Sequence, residues 1–223
     1  KINTQTGTAE YYLTLPEGSI GNSIRFDAND YMYVADYTGH SVLKIAPDKS
    51  IEVYAQNDNM NQPNDIALAQ NGRIYASDPK WSAGDGNLWM IENGTTNLIE
   101  ADMGTTNGIE LSLNQTKLYV NESVQRKVWV YDIGDNGIPI NKTLFHEFDD
   151  NGLDGMKIHP VLGHLFIARF NAGKIVQLNT EGTIVREYSL TGSKPTNLAF
   201  SNDSKYIYVT MQGRGGLERI QLY

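Results

Sequence analysis

Residues 105–123 read TTNGIELSLNQTKLYVNES, two short apolar runs joined by a turn and preceded by a carboxamide, Asn107. Apolar residues alternate with others in IELSL and in KLYV, as they do in half-buried β-strands. Asn114 and Gln115 separate the two runs, and Asn favours turns because its side chain hydrogen-bonds nearby backbone groups. The stretch therefore predicts a β-hairpin with a polar side chain directly before its first, buried strand.

The same arrangement occurs five times along the chain. A polar residue is followed by a small or polar one and then by alternating apolar residues in NSIRF, NDIAL, NGIEL, DGMKI and TNLAF, which begin at Asn22, Asn64, Asn107, Asp154 and Thr196. Successive starting residues, called anchors below, are 42, 43, 47 and 42 positions apart. A period of this length indicates a repeat architecture.

Each repeat contains the apolar runs of one propeller blade. A turn with Asn, Asp or Gly follows the first run, then a second run such as KLYVNE at 117–122 and a third such as KVWVYDI at 127–133. Four repeats show a weaker fourth run, as in SIEVYA at 50–55. Four short strands in roughly 42 residues, with no helical stretch, predict an all-β fold of the β-propeller type.

The beginning of the chain suggests how many blades to expect. Residues 1–15 align with residues 44–55, which places Lys1 inside the third strand of an earlier repeat. We therefore expect a six-bladed propeller whose first blade is incomplete in this chain, and a native polypeptide that extends upstream, because an open ring exposes strand edges. The expected single domain over 1–223 divides into a blade 1 remnant at 1–20 and blades 2 to 6 at 21–62, 63–105, 106–152, 153–194 and 195–223.

Composition narrows the classes of partner. With 223 residues, 40% hydrophobic and 20% charged, the chain has the make-up of a soluble globular protein. A net charge of −8 without a Lys/Arg cluster argues against nucleic acid and anionic membrane surfaces as partners. The absence of Cys excludes disulfides and Cys-based zinc sites. No apolar run approaches the ~20 residues of a membrane span, and no signal-peptide pattern indicates a compartment.

The anchors predict a shared site. In a propeller the first strand of each blade lies nearest the central channel, so residues just before it meet at the channel mouth. The loop after each second strand reaches the same mouth, which adds rim candidates: Tyr37, Trp81, Ser123, Phe170 and Gln212. A ring of amide and carboxylate oxygens suits a hard cation such as Ca²⁺, which takes about 6–8 oxygen ligands. The alternative is that the anchors only cap strand starts and form Asx-turns.

Two further acids occupy matching places in the repeats. Asp36 and Asp78 stand at the ends of second strands. We expect them to hold loops, with a second structural cation as the alternative.

Four stretches together resemble a known family. They are residues 105–123, NQPNDIALAQNGRIYASDP at 61–79, LDGMKIHPVLGHLFIARFNAGKIVQL at 153–178 and KPTNLAFSNDSKYIYVT at 194–210. As a set they resemble the group of gluconolactonase, regucalcin (senescence marker protein) and luciferin-regenerating enzyme. The resemblance implies a six-bladed propeller with one divalent metal in the channel, often Ca²⁺, and hydrolysis of sugar lactones; Zn²⁺, Mn²⁺ and Mg²⁺ are the other cations considered. Diisopropyl fluorophosphatase and paraoxonase look like more distant relatives that act on phosphotriesters or lactones.

The resemblance also implies roles for individual residues. The Asn of the family's PND motif is Asn64, the Asn of TNG is Asn107 and the Asp of DGM is Asp154, and these three are the expected metal ligands. The fourth family ligand, a Glu in an EGP motif, has no counterpart here, so either it lies upstream of residue 1 or the chain binds metal poorly. An Arg that some members carry two residues before the PND Asn is Gln62 here, which leaves the particular lactone open.

The sequence thus predicts a calcium-dependent, gluconolactonase-like hydrolase with a small-molecule lactone as its partner. Asp154 is the candidate catalytic residue, as a metal ligand and as the group considered to accept the proton of the attacking water. The candidate substrate-binding residues are Asn22, Gln62, Tyr37, Trp81, Phe170 and Thr196. Two alternatives stay open: a non-catalytic propeller that binds a ligand or a protein, and a phosphotriesterase-type hydrolase.

Overall fold

Each of the five repeats folds into one antiparallel sheet in the computed structural model, which describes residues 1–222. Sheet 1 contains β1 (Gly21–Phe26), β2 (Met32–Asp36), β3 (Ser41–Ile45) and β4 (Ile51–Gln56). Sheet 2 contains β5 (Ile66–Leu68), β6 (Ile74–Lys80), β7 (Asp85–Glu92) and β8 (Thr95–Met103). Sheet 3 contains β9 (Thr106–Leu111), β10 (Lys117–Glu122), β11 (Lys127–Ile133) and β12 (Pro139–Glu147).

The last two sheets complete the set. Sheet 4 contains β13 (Met156–Ile158), β14 (Leu165–Arg169), β15 (Lys174–Leu178) and β16 (Ile184–Ser189). Sheet 5 has three strands, β17 (Pro195–Phe200), β18 (Tyr206–Met211) and β19 (Gly216–Gln221), with a 3-10 turn at Gln212–Arg214 before the last. Within every sheet the strands pair in chain order, as blades of a propeller do. Among residues 1–222, no helix is long and apolar enough to cross a membrane.

The opening stretch forms the hairpin that its pattern predicts. Strands β9 and β10 pair with Leu118 opposite Leu111 and Val120 opposite Ile109. The Asn114 side chain accepts a hydrogen bond from the Thr116 backbone N–H at 3.2 Å, which closes the turn between the strands. Every residue of β9 is buried, because the strand lies between sheets rather than at the surface.

The apolar core lies between the sheets. Strand β6 shows the arrangement: Ile74 and Ala76 pack toward sheet 1, whereas Tyr75 packs toward sheet 3. Similar layers lie between sheets 3 and 4 and between sheets 4 and 5. Burial on both faces explains why the second run of each repeat is almost continuously apolar instead of alternating. The inner strands β1, β5, β9, β13 and β17 consequently lie side by side in chain order.

The prediction of a six-bladed propeller with an incomplete first blade is wrong. The structure has five blades, one for each sheet, and residues 1–20 add no sheet. Those residues form an isolated bridge between Ile2 and Ala9, and Tyr12, Leu13 and Leu15 pack against the apolar residues of sheet 1. A two-stranded ribbon is marginal without further strands. Burying apolar side chains on sheet 1 is therefore the more stable arrangement for this segment.

The inter-sheet core predicts a contrast between two leucines of sheet 2. Leu88 is fully buried between sheets 2 and 3, whereas Leu98 is 49% exposed on the outer strand β8. Replacing Leu88 with Ala should lower the free energy of unfolding by roughly 2–5 kcal/mol, since it leaves a cavity that the neighbours fill only partly. Leu98→Ala should cost less than about 1 kcal/mol. Urea unfolding followed by circular dichroism measures both, and equal losses would contradict the layered core.

Candidate functional site

The five anchors lie at one end of the row of inner strands and border one cavity. Asn22, Asn107 and Thr196 lie within β1, β9 and β17, while Asn64 and Asp154 lie two residues before β5 and β13. All five side chains line one open cavity of about 1050 Å³, called the mouth cavity below. The repeat spacing therefore does bring these polar groups together from five different sheets.

Direct hydrogen bonds join the anchor segments across the seams between sheets. The Asn22 side chain donates from Nδ2 to the Asn64 carbonyl oxygen at 2.9 Å. The Asn107 side chain donates to the Leu153 carbonyl oxygen at 3.4 Å, and the Gly155 backbone N–H donates to the Thr196 carbonyl oxygen at 2.6 Å. Because buried backbone groups need partners, these bonds hold the inner strands together at three seams: between sheets 1 and 2, sheets 3 and 4, and sheets 4 and 5.

Two glycines show how closely the inner strands approach. A Cβ atom on Gly108 would collide with the Asp154 carbonyl oxygen, and one on Gly155 would collide with the Asn197 side chain. Both glycines directly follow an anchor. In sheets 3 and 4 the close packing of neighbouring inner strands therefore requires glycine directly after the anchor.

Asp154 sits in a poorly solvated position. Its side chain reaches the mouth cavity, but the inner strands around it exclude most of the water that would solvate a carboxylate. Burial raises the pKa of the Asp154 carboxyl to about 8, and the nearby carboxyl of Asp65 adds to the rise. Hydrogen bonds from the Gly155 N–H and the Asn107 side chain oppose it. A positive charge in the cavity would lower this pKa and favour the carboxylate.

The two neighbouring amides are buried near this acid. Asn64 is 7% exposed and Asn107 is 3% exposed. Within residues 1–222, the Asn107 Oδ1 atom is buried without a hydrogen-bond partner. An unpaired buried carbonyl oxygen is unfavourable unless something else satisfies it, and a cation is one such group.

The rim candidates lie where the sequence places them, on the loops after second strands. Tyr37, Trp81, Ser123, Phe170 and Gln212 all line the mouth cavity. Trp81 is 40% exposed, so its ring is available to a ligand. Gln62 is not among the residues that line the cavity, and its backbone N–H donates to the Asp78 carboxylate at 2.6 Å. The rim thus presents three aromatic side chains from three sheets.

Acids at the ends of second strands hold the loops that lead into the mouth. Asp36 accepts the backbone N–H of Ile20 at 3.0 Å and that of Gly39 at 3.1 Å. Asp78 accepts the N–H groups of Asn61 and Gln62 at 2.8 and 2.6 Å. Holding loops is the role that the sequence predicts for these two residues.

Sheets 3 and 4 also have a charged residue at the end of the second strand, and the sequence analysis missed both. Glu122 accepts the Gly104 N–H at 3.1 Å, and its place after LYVN in the register of Asp36 and Asp78 would have identified it. Sheet 4 has Arg169 at this place, paired through Nη2 with Asp150 Oδ1 at 2.8 Å. The charge at the end of β14 is therefore opposite to that in sheets 1 to 3, and its loop partner is an acid.

A second polar layer that sequence reasoning missed lies beside the anchors. Arg25 Nη2 pairs with Asp65 Oδ1 at 2.9 Å, and Lys157 Nζ pairs with Glu110 Oε2 at 2.5 Å. Burial raises the pKa of the Asp65 carboxyl, and the Arg25 guanidinium opposes that rise. Arg25, Glu110 and Lys157 each stand three residues after an anchor, which is the sequence signal that could have found them.

The residues at the mouth fit a hard cation. They offer two amide groups and one carboxylate on adjacent sheets, with the buried Asn107 oxygen lacking a partner among residues 1–222. Over the same part of the chain, no three His, Cys, Asp or Glu side chains cluster as a metal site, and Asp154 is the sole acid in the cavity lining. A cation would therefore be held by Asn64, Asn107 and Asp154, the donor types that Ca²⁺ prefers.

Comparison with known proteins shows similarity over nearly the whole chain. A family model described as SMP-30/Gluconolactonase/LRE-like region matches residues 2–213. The gluconolactonase of Zymomonas mobilis is 30% identical over 171 residues, which cover 65% of this chain and 48% of that protein. The pentonolactonase XacC of Haloferax volcanii is 26% identical over 158 residues, covering 69% and 54%. The chain thus matches about half the length of these curated relatives.

Solved structures are similar in fold. The crystal structure of a calcium-binding protein, regucalcin, from Agrobacterium tumefaciens superposes with a TM-score of 0.80 at 18% identity, covering 93% of this chain and 77% of that one. At this identity the likeness concerns the fold alone. The match of the family model over residues 2–213 carries the assignment and confirms the resemblance seen in the sequence: the chain belongs to the SMP-30/gluconolactonase/LRE-like family.

Proposed function

We propose that this chain carries the active site of a lactone hydrolase that depends on a divalent cation, most simply Ca²⁺. The observation that supports it best is the meeting of Asn64, Asn107 and Asp154 in one cavity, with a buried amide oxygen that lacks a protein partner among residues 1–222. Two relatives are named as a gluconolactonase and a pentonolactonase, which favours lactones of sugar acids as the substrate class.

The proposed reaction assigns one chemical task to Asp154. A bound divalent cation supplies a positive charge that polarises the lactone carbonyl and lowers the pKa of the nearby carboxyl. The Asp154 carboxylate accepts a proton from the attacking water as the water oxygen bonds to the carbonyl carbon. The ring C–O bond then breaks, and the proton passes from Asp154 to the departing alkoxide, which gives the hydroxy acid.

The remaining residues of the mouth bind and orient the lactone. Tyr37, Trp81 and Phe170 line the cavity from three sheets, and aromatic rings pack well against the C–H faces of sugar rings. Asn22 and Thr196 line the same cavity from sheets 1 and 5 and are the proposed hydrogen-bonding contacts to ring hydroxyl groups. Neutral amides at Asn64 and Asn107 leave the charge of a bound cation largely uncompensated, which strengthens its effect on the carbonyl.

A panel of sugar lactones tests the proposal in a pH-indicator assay, with and without a chelator. Acid release that stops on chelation and returns with Ca²⁺ is expected. Asp154→Asn should lower kcat/KM by roughly 100-fold or more, because it removes the proton acceptor. Asp135→Asn, an exposed acid in the turn between β11 and β12, is the matched control and should hydrolyse lactones like the original chain.

Two results would contradict the proposal. If the folded chain hydrolyses none of the lactones in the presence of Ca²⁺, the result would favour a propeller that only binds a ligand or protein. Hydrolysis of a phosphotriester, or of the phosphorofluoridate diisopropyl fluorophosphate, with no lactone turnover would favour the phosphotriesterase alternative.

The raised pKa of Asp154 predicts a pH-dependent stability in the cation-free protein. Well below pH 3.8 the carboxyl is protonated in both the folded and the unfolded chain, so it contributes no pH dependence. Between the ordinary pKa of 3.8 and the folded value of about 8, only the unfolded chain releases the proton, so the free energy of unfolding falls as pH rises. Well above pH 8 the carboxyl is ionised in both states, and the free energy of unfolding no longer changes with its titration. Each unit of pKa difference corresponds to about 1.4 kcal/mol.

Asp154→Asn should remove this dependence. In chelator, the variant should gain stability relative to the original chain between pH 4.5 and pH 8, as measured by urea unfolding at several pH values. Asp135→Asn should follow the original chain across the range. A constant difference between Asp154→Asn and the original chain at all pH values would show that Asp154 is ionised in the folded, cation-free state.

A further inference from the structure

Two consecutive residues of sheet 2 are held by side chains of sheet 1. The Asn64 carbonyl oxygen accepts a hydrogen bond from the Asn22 side chain at 2.9 Å, and the Asp65 carboxylate forms an ion pair with Arg25, from Oδ1 to Nη2, at 2.9 Å. The pair is well shielded, with 12% of the Arg25 side chain and 2% of the Asp65 side chain exposed. Side chains of strand β1 thus bind the backbone of Asn64 and the side chain of Asp65.

The Asp65 carboxylate also reaches the opposite seam. Its Oδ2 atom accepts the Ile109 backbone N–H at 3.4 Å, and its Oδ1 atom accepts its own neighbour's N–H, that of Ile66, at 2.9 Å. Ile109 stands two residues after Asn107. One carboxylate therefore links sheets 1, 2 and 3 directly beside the two amides proposed to hold the cation.

Stability alone is a weak reason for such a pair. Removing two charges from water offsets most of their attraction, so a buried ion pair adds little over well-packed apolar residues. Loss of one partner is different, because it leaves a buried charge uncompensated. Without Arg25, Asp65 would be an unpaired carboxylate close to Asp154, and its links to Ile66 and Ile109 would have to rearrange.

We infer that Arg25 is a positioning residue of the mouth: by pairing with Asp65, it fixes the inner strands that carry Asn64 and Asn107 so that both carboxamides line the cavity. Arg25 also borders the mouth cavity, and the role inferred for it acts through Asp65 rather than through contact with the cation. The inference rests on the proposed function, since it concerns binding of a cation by those amides. Partners one step removed from metal ligands typically change metal affinity about 10–100-fold when they are replaced.

The chain contains a matched ion pair away from the site. Arg73 Nη2 pairs with Glu92 Oε1 at 2.6 Å on sheet 2, and 13% of the Arg73 side chain is exposed. Neither residue lines the mouth cavity. Arg73→Met therefore removes a guanidinium of similar burial from an ion pair without touching the proposed cation site.

Calorimetric titration with Ca²⁺ tests the inference on the original chain, Arg25→Met, Arg25→Lys and Arg73→Met, each checked for folding by thermal denaturation. Arg25→Met should raise the Kd for Ca²⁺ at least about 10-fold. Arg25→Lys keeps a positive charge beside Asp65 and should recover most of the affinity. Arg73→Met should bind Ca²⁺ like the original chain even where its Tm falls. If Arg25→Met does not fold, Asp65→Asn replaces it, since the amide still accepts an N–H but loses the ion pair.

The outcomes separate the inference from the function on which it rests. An unchanged Kd in folded Arg25→Met, or in Asp65→Asn where that variant replaces it, overturns the positioning role and leaves the proposed cation site standing. An equal loss of affinity in Arg73→Met overturns it too, because the effect would then follow general destabilisation. A failure of the original chain to bind Ca²⁺ overturns both the cation site and the inference.

Discussion

The close approach of the five inner strands is the constraint on which the rest of the structure depends. Gly108 and Gly155 leave no room for a side chain at two of the seams, which hydrogen bonds from Asn107 and Gly155 also cross. A hydrogen bond from Asn22 crosses the seam between sheets 1 and 2. Strands this close must satisfy one another's polar groups, because water does not reach between them. The polar anchors therefore serve the architecture first, and their meeting at the mouth follows from it.

That constraint explains which parts of the fold the sequence could predict. The anchor spacing, the hairpin at 105–123 and the apolar second runs are local patterns, and each corresponds to a feature of the structure. The number of blades is different, because it depends on whether residues 1–20 form part of a further sheet, and they do not. Their alternation resembles a strand, but Tyr12, Leu13 and Leu15 find burial against sheet 1 instead. Periodicity shows that a segment is amphipathic, and it does not show which surface will cover it.

The candidate site also has residues that the sequence could predict and residues that it could not. Asn64, Asn107 and Asp154 could be placed together because the repeat carries them around the axis, and the rim aromatics follow from the second-strand loops. Arg25, Asp65, Glu110 and Lys157 were missed, since charged residues in a strand normally suggest a solvent-facing side. Here they face neighbouring strands, where opposite charges from adjacent sheets compensate one another. These two pairs depend on three-dimensional neighbours that lie 40 and 47 residues apart in the sequence.

The reversed pair in sheet 4 has a consequence for how such repeats could be exchanged. In sheets 1 to 3 an acid at the end of the second strand receives N–H groups of its own entry loop, whereas in sheet 4 Arg169 pairs with the acid Asp150 of its loop. A chimera that joined the entry loop of one repeat to the strands of the fourth would leave a guanidinium facing backbone N–H groups. Duplication or recombination of these repeats must therefore transfer the entry loop together with the second strand of the same repeat.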